Sequence, residues 1–447
     1  MSTKLFGTDG VRGRAGAPPL DTRTVRRIGM ALVKALPRGN GSPRLLVGRD
    51  TRESGAQIER DLALGAVAAG AAVVSAGVIP TPAVAHLTRS QGFAAGLVIS
   101  ASHNPFQDNG IKVFSGGGEK FTEALEAEVE TICADASWQE PGGDAPEVST
   151  IDEAGAYLAH ARRALDGQCP AHGKRIAVDC ANGATYRVAP ALLRSLGFEV
   201  AAMGCEPDGR NINLDCGSTH PGRLARLVVR EGCELGVAFD GDGDRAILVD
   251  ASGRIVDGDA VLLMCAKQMQ AAGRLRGSTV VATVMSNIGL ELALRDLGIR
   301  LVRCPVGDKY VMEALLRDNL SLGGEQSGHV IFPDFLYTGD GIVTALNVLR
   351  VMAETGRPLA DLAGDLKTFP QVLVNLTVRE KRDWMTIPAA ARAVADVEAR
   401  VAGRGRLLVR YSGTEPLLRV MIEGERQEEI AAWAEQIAAA VRAEIGI

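Results

Sequence analysis

The chain has 447 residues, a formal net charge of −5, and 23% charged against 46% hydrophobic residues. That length exceeds what one hydrophobic core supports and predicts roughly three or four domains. The composition is typical of a soluble protein, and the negative charge excludes a nucleic-acid binder that works by nonspecific electrostatics.

The N-terminus lacks the apolar core of a signal peptide, and no apolar run reaches the roughly 18 residues of a membrane span. We therefore expect a cytoplasmic protein with no membrane partner and no nucleic-acid partner. The eight cysteines are widely spaced and form no Cys-x-x-Cys pair. This spacing indicates buried reduced thiols rather than a zinc site or a redox pair.

Residues 1–150 are predicted to form an α/β domain. Three glycines surround Asp9 and Arg12 near its start, a composition that fits either a backbone lying close to a ligand or a glycine-rich hairpin. Strands at 45–48, 72–75 and 94–99 alternate with helices at 57–69 and 82–90, the order of a parallel sheet with crossover helices. Residues 135–150 lose periodicity and are predicted to be a linker.

The alternation of strands and helices recurs twice more along the chain. Residues 151–252 and 253–366 each repeat it and place a polar loop after a strand, whereas residues 367–447 change to an α+β order. The sequence thus predicts an α/β protein with three similar domains of mixed, mostly parallel sheets and a C-terminal α+β domain around a central active-site cleft.

The loop at residues 99–112 reads Ile-Ser-Ala-Ser-His-Asn-Pro-Phe-Gln-Asp-Asn-Gly-Ile-Lys. Ser102 follows the carboxyl end of a strand, where open α/β sheets bind ligands. His103 and Lys112 add an imidazole and an ammonium group, and Pro105 and the Asn109-Gly110 pair predict sharp turns that fold these groups over the hydroxyl. Such a loop suits a phosphate ester, although taken alone it also fits a surface serine in a polar turn.

Residues 239–245 place three carboxylates, Asp240, Asp242 and Asp244, at alternate positions between glycines. A tight loop of this kind can aim all three at one hard cation such as Mg²⁺ and leave coordination positions for a phosphate oxygen. A calcium-binding EF-hand is excluded because Arg245 and Ala251 occupy the positions that need Gly and Glu. The remaining alternative is an acidic hairpin turn.

Glu325, Ser327 and His329 also lie at alternate positions, around Gly328. We expect a carboxylate, a hydroxyl and an imidazole on one edge, a set that pairs with sugar hydroxyls. By itself this pattern is a weak signal.

The last polar loop, at residues 410–419, joins two predicted strands. Its candidate phosphate-binding residues combine guanidinium, hydroxyl and backbone N–H donors, which suit a dianionic phosphate. They are Arg410, Ser412, Gly413, Thr414 and Arg419. The alternative is a plain hairpin with exposed arginines.

These four loops, in this order and across the whole chain, resemble those of the α-phosphohexomutases. Within that superfamily, residues 6–13 and Gln326 are similar to the phosphoglucosamine mutase family. Two positions depart from the usual pattern, since Lys309 stands where an Arg is usual and Tyr411 where a Lys is common.

The resemblance assigns roles to residues in all four loops. It implies that Ser102 is carried as a phosphoserine, and that Ser102 together with Asp240, Asp242 and Asp244 holds one Mg²⁺ per chain. The catalytic residues it implies are Ser102, His103, Lys112 and Arg12. The implied substrate-binding residues are Arg245, Glu325, Ser327, His329 and Lys309. Either Lys112 or His103 assists proton transfer, and the sequence does not choose between them.

The reaction implied by the resemblance converts glucosamine 6-phosphate to glucosamine 1-phosphate through glucosamine 1,6-bisphosphate, which is also the activating intermediate. The product would feed UDP-N-acetylglucosamine and cell-wall precursor synthesis. The expected partners are the small-molecule sugar phosphate, a possible homodimer mate, and a kinase or autophosphorylation that primes Ser102.

Three other functions compete with this one. A phosphomannomutase or phosphoglucomutase would share every catalytic residue. A serine hydrolase is disfavoured because Ser102 has no Gly-x-Ser-x-Gly elbow, and because an extended backbone would turn His103 away from it. A nonenzymatic sugar-phosphate binder would not need both the Ser102 loop and the triple-carboxylate loop.

Overall fold

The structure is a computed structural model, and it describes residues 4–7, 9–37, 41–135, 137–138, 148–168, 173–412 and 416–446. The chain divides into two compact units. The first unit comprises Met1–Met285 and Gly298–Asp365, and the second comprises Ser286–Leu297 and Leu366–Ile447. Among the described residues, no helix is both long and apolar enough to cross a membrane.

The first sheet of the first unit has seven strands. They are β1 (Phe6–Gly7), β2 (Gly10–Arg14), β3 (Arg44–Arg49), β4 (Ala72–Val78), β5 (Ala95–Ile99), β6 (Asp108–Ser115) and β7 (Ser149–Thr150). Its helices are α1 (Thr22–Ala35), α2 (Gly55–Ala68), α3 (Thr81–Ser90) and α4 (Glu123–Ala134). The strand order is β1-β2-β6-β5-β3-β4-β7. Strands β5, β3, β4 and β7 run parallel, while β6 is antiparallel to both β5 and β2.

A second sheet, of five strands, has the order β12-β11-β10-β8-β9. Its strands are β8 (Arg175–Asp179), β9 (Glu199–Met203), β10 (Leu235–Phe239), β11 (Ala246–Asp250) and β12 (Ile255–Val256). Its helices are α5 (Ala154–Arg162), α6 (Val188–Ser195) and α7 (Gly222–Glu231). Strand β10 is parallel to β8 and antiparallel to β11, and its five residues are all buried.

The third sheet has the order β14-β13-β15-β16. Its strands are β13 (Thr279–Thr283), β14 (Arg300–Cys304), β15 (Gly323–Gly324) and β16 (Val330–Ile331). The helices of this stretch are α8 (Gly258–Ala271), α9 (Ile288–Asp296), α10 (Asp308–Arg317), α11 (Gly341–Thr355) and α12 (Leu359–Ala363). Helix α9 lies between β13 and β14 in the chain but belongs to the second unit.

The rest of the second unit is an antiparallel sheet in the order β17-β19-β18, with two long helices. Its elements are β17 (Gln371–Thr377), α13 (Pro388–Val401), β18 (Arg406–Tyr411), β19 (Leu417–Glu423) and α14 (Gln427–Ile445). Val397, Val420 and Ile437 are fully buried in its core. Removing this apolar surface from water is the main stabilising contribution here.

The predicted fold class is confirmed, and the predicted crossover helices and parallel strands lie within a few residues of their predicted ends. The sequence interpretation missed β6, β11 and β16. Each of these strands follows a polar loop and returns antiparallel to the strand before that loop. In this way each of the three polar loops of the first unit connects two paired strands.

Candidate active site

Ser102 lies in the loop between β5 and β6, and only 1% of the residue is exposed. Its φ of 52° is in the left-handed region, which a non-glycine residue adopts at an energetic cost and which is concentrated at functional sites. The surrounding contacts maintain it. The Ser102 N–H donates to Ser100 Oγ at 2.9 Å, and its carbonyl accepts from Asn213 Nδ2 at 2.9 Å.

Arg52 anchors the Ser102 loop through hydrogen bonds to its backbone. Its side chain is fully buried and forms an ion pair with Asp50 at 2.9 Å. It donates to the carbonyl oxygens of Ser102 at 2.8 Å, Asn104 at 2.9 Å and Pro105 at 2.5 Å. Three carbonyl acceptors on one planar guanidinium fix the path of the loop, so Arg52 positions Ser102.

The Ser102 hydroxyl donates to an oxygen of Asp240 and lies 3.3 Å from His103 Nδ1. The expectation that His103 turns away from Ser102 is wrong, because the left-handed φ of Ser102 replaces the extended backbone on which it rested. Burial, with the nearby positive charges of Arg245 and Arg12, lowers the pKa of His103 to about 4. A neutral imidazole is thus placed beside the hydroxyl, where it can accept a proton.

The carboxylates of Asp240, Asp242 and Asp244 are at most 3% exposed, and their nearest oxygens lie within 4.8 Å of one another. The glycines between them have separate tasks. Gly243 adopts φ 74° in the turn, and a Cβ at Gly241 would lie 2.5 Å from the carbonyl oxygen of Ser102. The alternation of Asp and Gly therefore lets the loop turn sharply and also lie against the Ser102 loop.

This carboxylate set fits a hard divalent cation. Oδ1 of Asp242 and Oδ1 of Asp244 are buried and have no hydrogen-bond partner among the described residues. Burial, reinforced by Asp244 and Asp242, raises the pKa of Asp240 well above its usual value. Unpaired oxygens and mutual repulsion are both relieved by a bound cation, and oxygen ligands of this kind suit Mg²⁺.

Lys112, on β6, is a permanent cation against the same carboxylates. Its Nζ lies 2.8 Å from Asp242 and 3.0 Å from Asp244, and 3.2 Å from Asp9. Burial opposes the charged form, but these three carboxylates raise the pKa of Lys112 well above 10.5. The ammonium group thus stays charged and offsets part of the acidic charge.

Asp9 extends this charge network. It pairs with Arg12, whose Nη1 lies 3.4 Å from the Ala101 carbonyl oxygen, and with Lys120. Lys120 in turn pairs with Asp308 at the start of α10. The sequence interpretation did not assign site roles to Asp9, Lys120 or Asp308, although Asp9 and Arg12 share the glycine-rich segment at the N-terminus.

Residues 325–329 form the turn between β15 and β16. His329 points inward and is 2% exposed, with Nδ1 3.6 Å from Asp244 and Nε2 accepting from the Gly339 N–H at 3.0 Å. Glu325 accepts from the Gly307 N–H at 3.3 Å, and Ser327 Oγ has no described hydrogen-bond partner. The turn therefore brings His329 to the carboxylate loop and Glu325 to the Gly307 N–H.

Arg245 and Lys309 occupy different surroundings. The Arg245 N–H donates to Asp240 at 3.2 Å, and its Nε lies 3.9 Å from Asp244. Lys309 is buried and pairs with Glu126 of α4 at 2.6 Å. Arg245 therefore lies at the carboxylate loop, whereas Lys309 links α10 to α4.

In the second unit, β18 and β19 pair so that Arg410 lies directly opposite Arg419. Burial, followed by the positive charge of Arg419, lowers the pKa of Arg410. Ser412 follows the end of β18, and its carbonyl accepts from Lys381 at 2.7 Å. Gly413 and Thr414 lie outside the described residues. Two guanidinium groups opposite one another on paired strands suit a doubly charged anion such as phosphate.

Family models for phosphoglucomutase/phosphomannomutase match nearly the whole chain. The alpha/beta/alpha domains I, II and III match residues 3–140, 156–253 and 257–369, and the C-terminal domain matches residues 373–440. Among curated relatives, the phosphoglucosamine mutase of Solibacter usitatus is 49% identical over 450 residues, covering 100% of both chains. That of Cereibacter sphaeroides is 45% identical, covering 99% of both. The chain belongs to the phosphoglucosamine mutase family of the phosphohexomutases.

Solved phosphohexomutase structures share the fold. A phosphoglucomutase/phosphomannomutase family protein of Burkholderia thailandensis superposes with a TM-score of 0.81 at 26% identity, covering 100% of both chains. An N-acetylphosphoglucosamine mutase of Aspergillus fumigatus, in complex with GlcNAc-6P and magnesium, superposes at 0.67 with 18% identity, covering 98% of this chain and 95% of that one. As a member of the phosphoglucosamine mutase family, the chain is a mutase of the isomerase class.

One further correction concerns the phosphohexomutase loop around Ser102. The turn predicted at Asn109-Gly110 is wrong, because both residues lie within β6. A Cβ at Gly110 would lie 2.6 Å from the Ser100 carbonyl oxygen and 2.8 Å from that of Val11. Glycine is needed there because neighbouring strands approach closely, not because the chain turns.

The phosphohexomutase motifs did not reveal Asp50 and Arg52, which fix the Ser102 loop. A signal for them was present, since both follow the carboxyl end of β3 and β3 is the parallel neighbour of β5. Side chains at that edge of adjacent parallel strands meet. Thr81 was missed as well, and its hydroxyl donates to Asp242 at 2.5 Å.

Proposed function

We propose that the chain isomerises glucosamine 6-phosphate to glucosamine 1-phosphate, with Ser102 as the phosphoryl carrier. The observation that carries this proposal is the hydrogen bond from the buried Ser102 hydroxyl to Asp240, a member of the carboxylate set. A hydroxyl beside a cation site has what phosphoryl transfer needs, namely positioning and charge neutralisation.

The reaction takes place in two transfers. The phosphoryl group of phosphorylated Ser102 moves to the O1 hydroxyl of glucosamine 6-phosphate, giving the 1,6-bisphosphate and a free serine. After the bisphosphate reverses its orientation, Ser102 Oγ accepts the phosphoryl group from O6, and glucosamine 1-phosphate leaves. In the first transfer the proton of the O1 hydroxyl passes to Ser102 Oγ as the bond from Oγ to phosphorus breaks, and in the second transfer the Oγ proton passes to O6 as the bond from O6 to phosphorus breaks.

Asp240, Asp242 and Asp244 would hold Mg²⁺, together with a phosphoryl oxygen on Ser102. The cation would neutralise charge on the oxygens of the transferred group. Lys112 and Arg12 add fixed positive charge on the protein side. Of the two candidates for proton transfer, the contacts favour His103, because Lys112 is already engaged by three carboxylates while His103 Nδ1 lies 3.3 Å from Ser102 Oγ.

We assign sugar binding to Glu325, Ser327 and Arg245, and phosphate binding to Arg410, Ser412, Gly413, Thr414 and Arg419. Ser327 Oγ, which has no hydrogen-bond partner in the described part of the chain, and the cross-strand arginines support these roles. For His329 and Lys309, the contacts support indirect roles: His329 orients Asp244, and Lys309 positions α10. A homodimer, and a kinase or autophosphorylation step that primes Ser102, remain predictions.

Steady-state kinetics with three sugar phosphates test the proposed substrate. The purified chain, with Mg²⁺ and a trace of hexose 1,6-bisphosphate, is assayed on the 6-phosphates of glucosamine, glucose and mannose. We expect kcat/KM to be highest for glucosamine 6-phosphate by about tenfold or more, the discrimination that a hydrogen-bonded amine provides. An equal or higher value for glucose or mannose 6-phosphate would make the chain a phosphoglucomutase or phosphomannomutase instead.

A further inference from the structure

The first unit contains a cavity that the proposed reaction does not use. Its volume is about 440 Å³, and none of the predicted site residues lines it. Its floor includes Arg350 of α11, nine residues beyond Gly341, whose N–H donates to the Gly243 carbonyl oxygen in the carboxylate loop. At 1.5 Å per helical residue, these two points on α11 lie roughly 14 Å apart along the helix axis.

Arg350 is a buried cation with weak compensation. Its side chain is 7% exposed, and its Nε lies 3.6 Å from Glu354 Oε1, beyond hydrogen-bonding distance. Arg350 Nε has no hydrogen-bond partner among the described residues. The other oxygen of Glu354 is occupied by Gln268 at 2.6 Å. An arginine with these contacts at a cavity wall can still donate hydrogen bonds to an anionic ligand.

Two further arginines line the same cavity. Arg274 pairs with Asp166 at 2.9 Å and lies 3.5 Å from Glu354, while its Nε has no described hydrogen-bond partner. Arg163 is exposed and lines the cavity too. Asp334, the second acid in the wall, is already paired with Arg276 at 2.7 Å. The acids of the wall are thus engaged by arginines, and the cavity keeps a surplus of positive charge.

The rest of the wall combines apolar and aromatic side chains with the polar side chains of Ser321 and Asn347. Phe332 and Met269 are 5% and 6% exposed, and the half-buried Phe335 packs edge-on against His160 with ring centroids 5.9 Å apart. Aromatic and thioether groups of this kind form favourable contacts with a flat ring. A cavity of a few hundred Å³ in which aromatic side chains stand beside convergent polar groups has the volume and the mixed wall of a small-molecule site.

We propose that this cavity is a binding site for a small organic phosphate that carries a planar ring, the chemical class of a nucleoside monophosphate. The phosphate pairs with the guanidinium groups of Arg350, Arg274 and Arg163, because a guanidinium fork matches phosphate geometry. The ring lies against Phe332 and Phe335. Occupancy is separate from catalysis, since the cavity shares no residue with the four polar loops.

Isothermal titration calorimetry of the full chain with adenosine 5′-monophosphate tests this site. We expect one molecule bound per chain. Adenosine lacks the phosphate and ribose 5-phosphate lacks the ring, so each should bind at least about tenfold more weakly than the monophosphate. No binding of the monophosphate at millimolar concentration would overturn the proposal. So would an adenosine affinity equal to that of the monophosphate, because the arginines would then contribute nothing.

Matched variants locate the bound ligand. Arg274→Gln and Arg163→Gln should each weaken binding by about tenfold, the usual effect of losing a charge-assisted hydrogen bond. Arg357→Gln is the control, because its side chain is 36% exposed against 37% for Arg274 and pairs with Asp365 away from the cavity. All three variants should keep mutase turnover. Unchanged affinity in both cavity variants would place the ligand elsewhere and overturn the assignment.

Discussion

The connection between β10 and β11 and the connection between β18 and β19 both join antiparallel strands, yet they carry opposite charge. In the first, Asp240, Asp242 and Asp244 are buried together, and Lys112 is buried against them. In the second, the half-buried Arg410 and Arg419 lie opposite each other on two paired strands. A buried cluster of like charge needs a fixed countercharge within the protein, whereas water screens the charge of partly exposed side chains.

The first consequence is that the buried region should respond strongly to loss of a positioning contact. Replacing Arg52 by Met leaves Asp50 buried without its cation and releases three loop carbonyls. We expect a loss of about 3 to 5 kcal/mol in the free energy of unfolding. We also expect kcat to fall by about a hundredfold, since Ser102 is no longer held in place.

A double variant separates these two effects. Combining Arg52→Met with Asp50→Asn removes both charges, which should restore much of the stability measured by urea unfolding. The kcat should stay low, because the loop carbonyls still lack their donor. If kcat recovered together with stability, Arg52 would be a general stabiliser and would have no role in positioning Ser102.

Asp242→Asn tests whether the acidic loop binds a cation. Removing one of three negative charges should raise the Mg²⁺ concentration for half-maximal turnover by about tenfold, because ligand charge sets affinity for a hard cation. Asp250→Asn is the control, as Asp250 is also buried at an end of β11 but pairs with Arg254. An unchanged Mg²⁺ titration for Asp242→Asn would show that the carboxylates serve another purpose.

In the half-exposed hairpin, Arg419→Ala should act on binding rather than on folding. Removing one of two opposed like charges should change the free energy of unfolding by less than about 1 kcal/mol. The KM for glucosamine 6-phosphate should rise by about tenfold, and free glucosamine 1,6-bisphosphate should accumulate during turnover. Arg400→Ala, an exposed arginine of α13, is the control. If KM stayed the same and no bisphosphate were released, this hairpin would have no role in phosphate binding.

Asp340 offers a finer test of how burial affects a carboxylate with no described cationic partner. Burial raises its pKa from 3.8 to about 6, and its Oδ2 has no hydrogen-bond partner among the described residues. The folded chain thus binds this proton more tightly than the unfolded chain. Its stabilising contribution is present below about pH 4 and is lost as pH rises through about 6, a change of about 3 kcal/mol.

Asp340→Asn should remove that pH dependence without removing the contacts of Asp340. The side-chain oxygen of the asparagine can still cap α11 by accepting from the Val343 N–H, and it can still accept from the Tyr157 hydroxyl. Urea unfolding at pH 4, 5, 6 and 7 should show a flatter profile for the variant than for the unchanged chain. Parallel profiles would mean that Asp340 is ionised in the fold throughout this range.

The sequence predicted the parallel strands and crossover helices because period and composition are local properties. It missed β6 because Pro105 and the Asn109-Gly110 pair are typical of turns, while the need for Gly110 arises from the backbone of Ser100, which follows β5, and of Val11 on β2. Close approach of two strands depends on tertiary structure and leaves no periodic signal in either strand alone.

The motifs identified Ser102 and the three aspartates because these residues lie in short segments whose local spacing indicates a nucleophile loop and a cation site. They did not identify Arg52, Thr81 or Lys120, whose contacts to Ser102, Asp242 and Asp308 span 50 or more residues, as in the 161-residue separation of Thr81 from Asp242. The direction of His103 was likewise outside the reach of pattern analysis, since it depends on one left-handed φ at Ser102.

The most direct test of the central claim, that Ser102 carries the phosphoryl group, is the mass of the peptide that contains it. The purified chain is incubated with a hexose 1,6-bisphosphate and digested, and the peptide is compared before and after addition of excess glucosamine 6-phosphate. The account predicts a peptide heavier by one phosphoryl group, assigned to Ser102 by fragmentation, that loses this mass as glucosamine bisphosphate forms. A chain that turns over substrate with Ser102 unmodified, or an active Ser102→Ala variant, would contradict it.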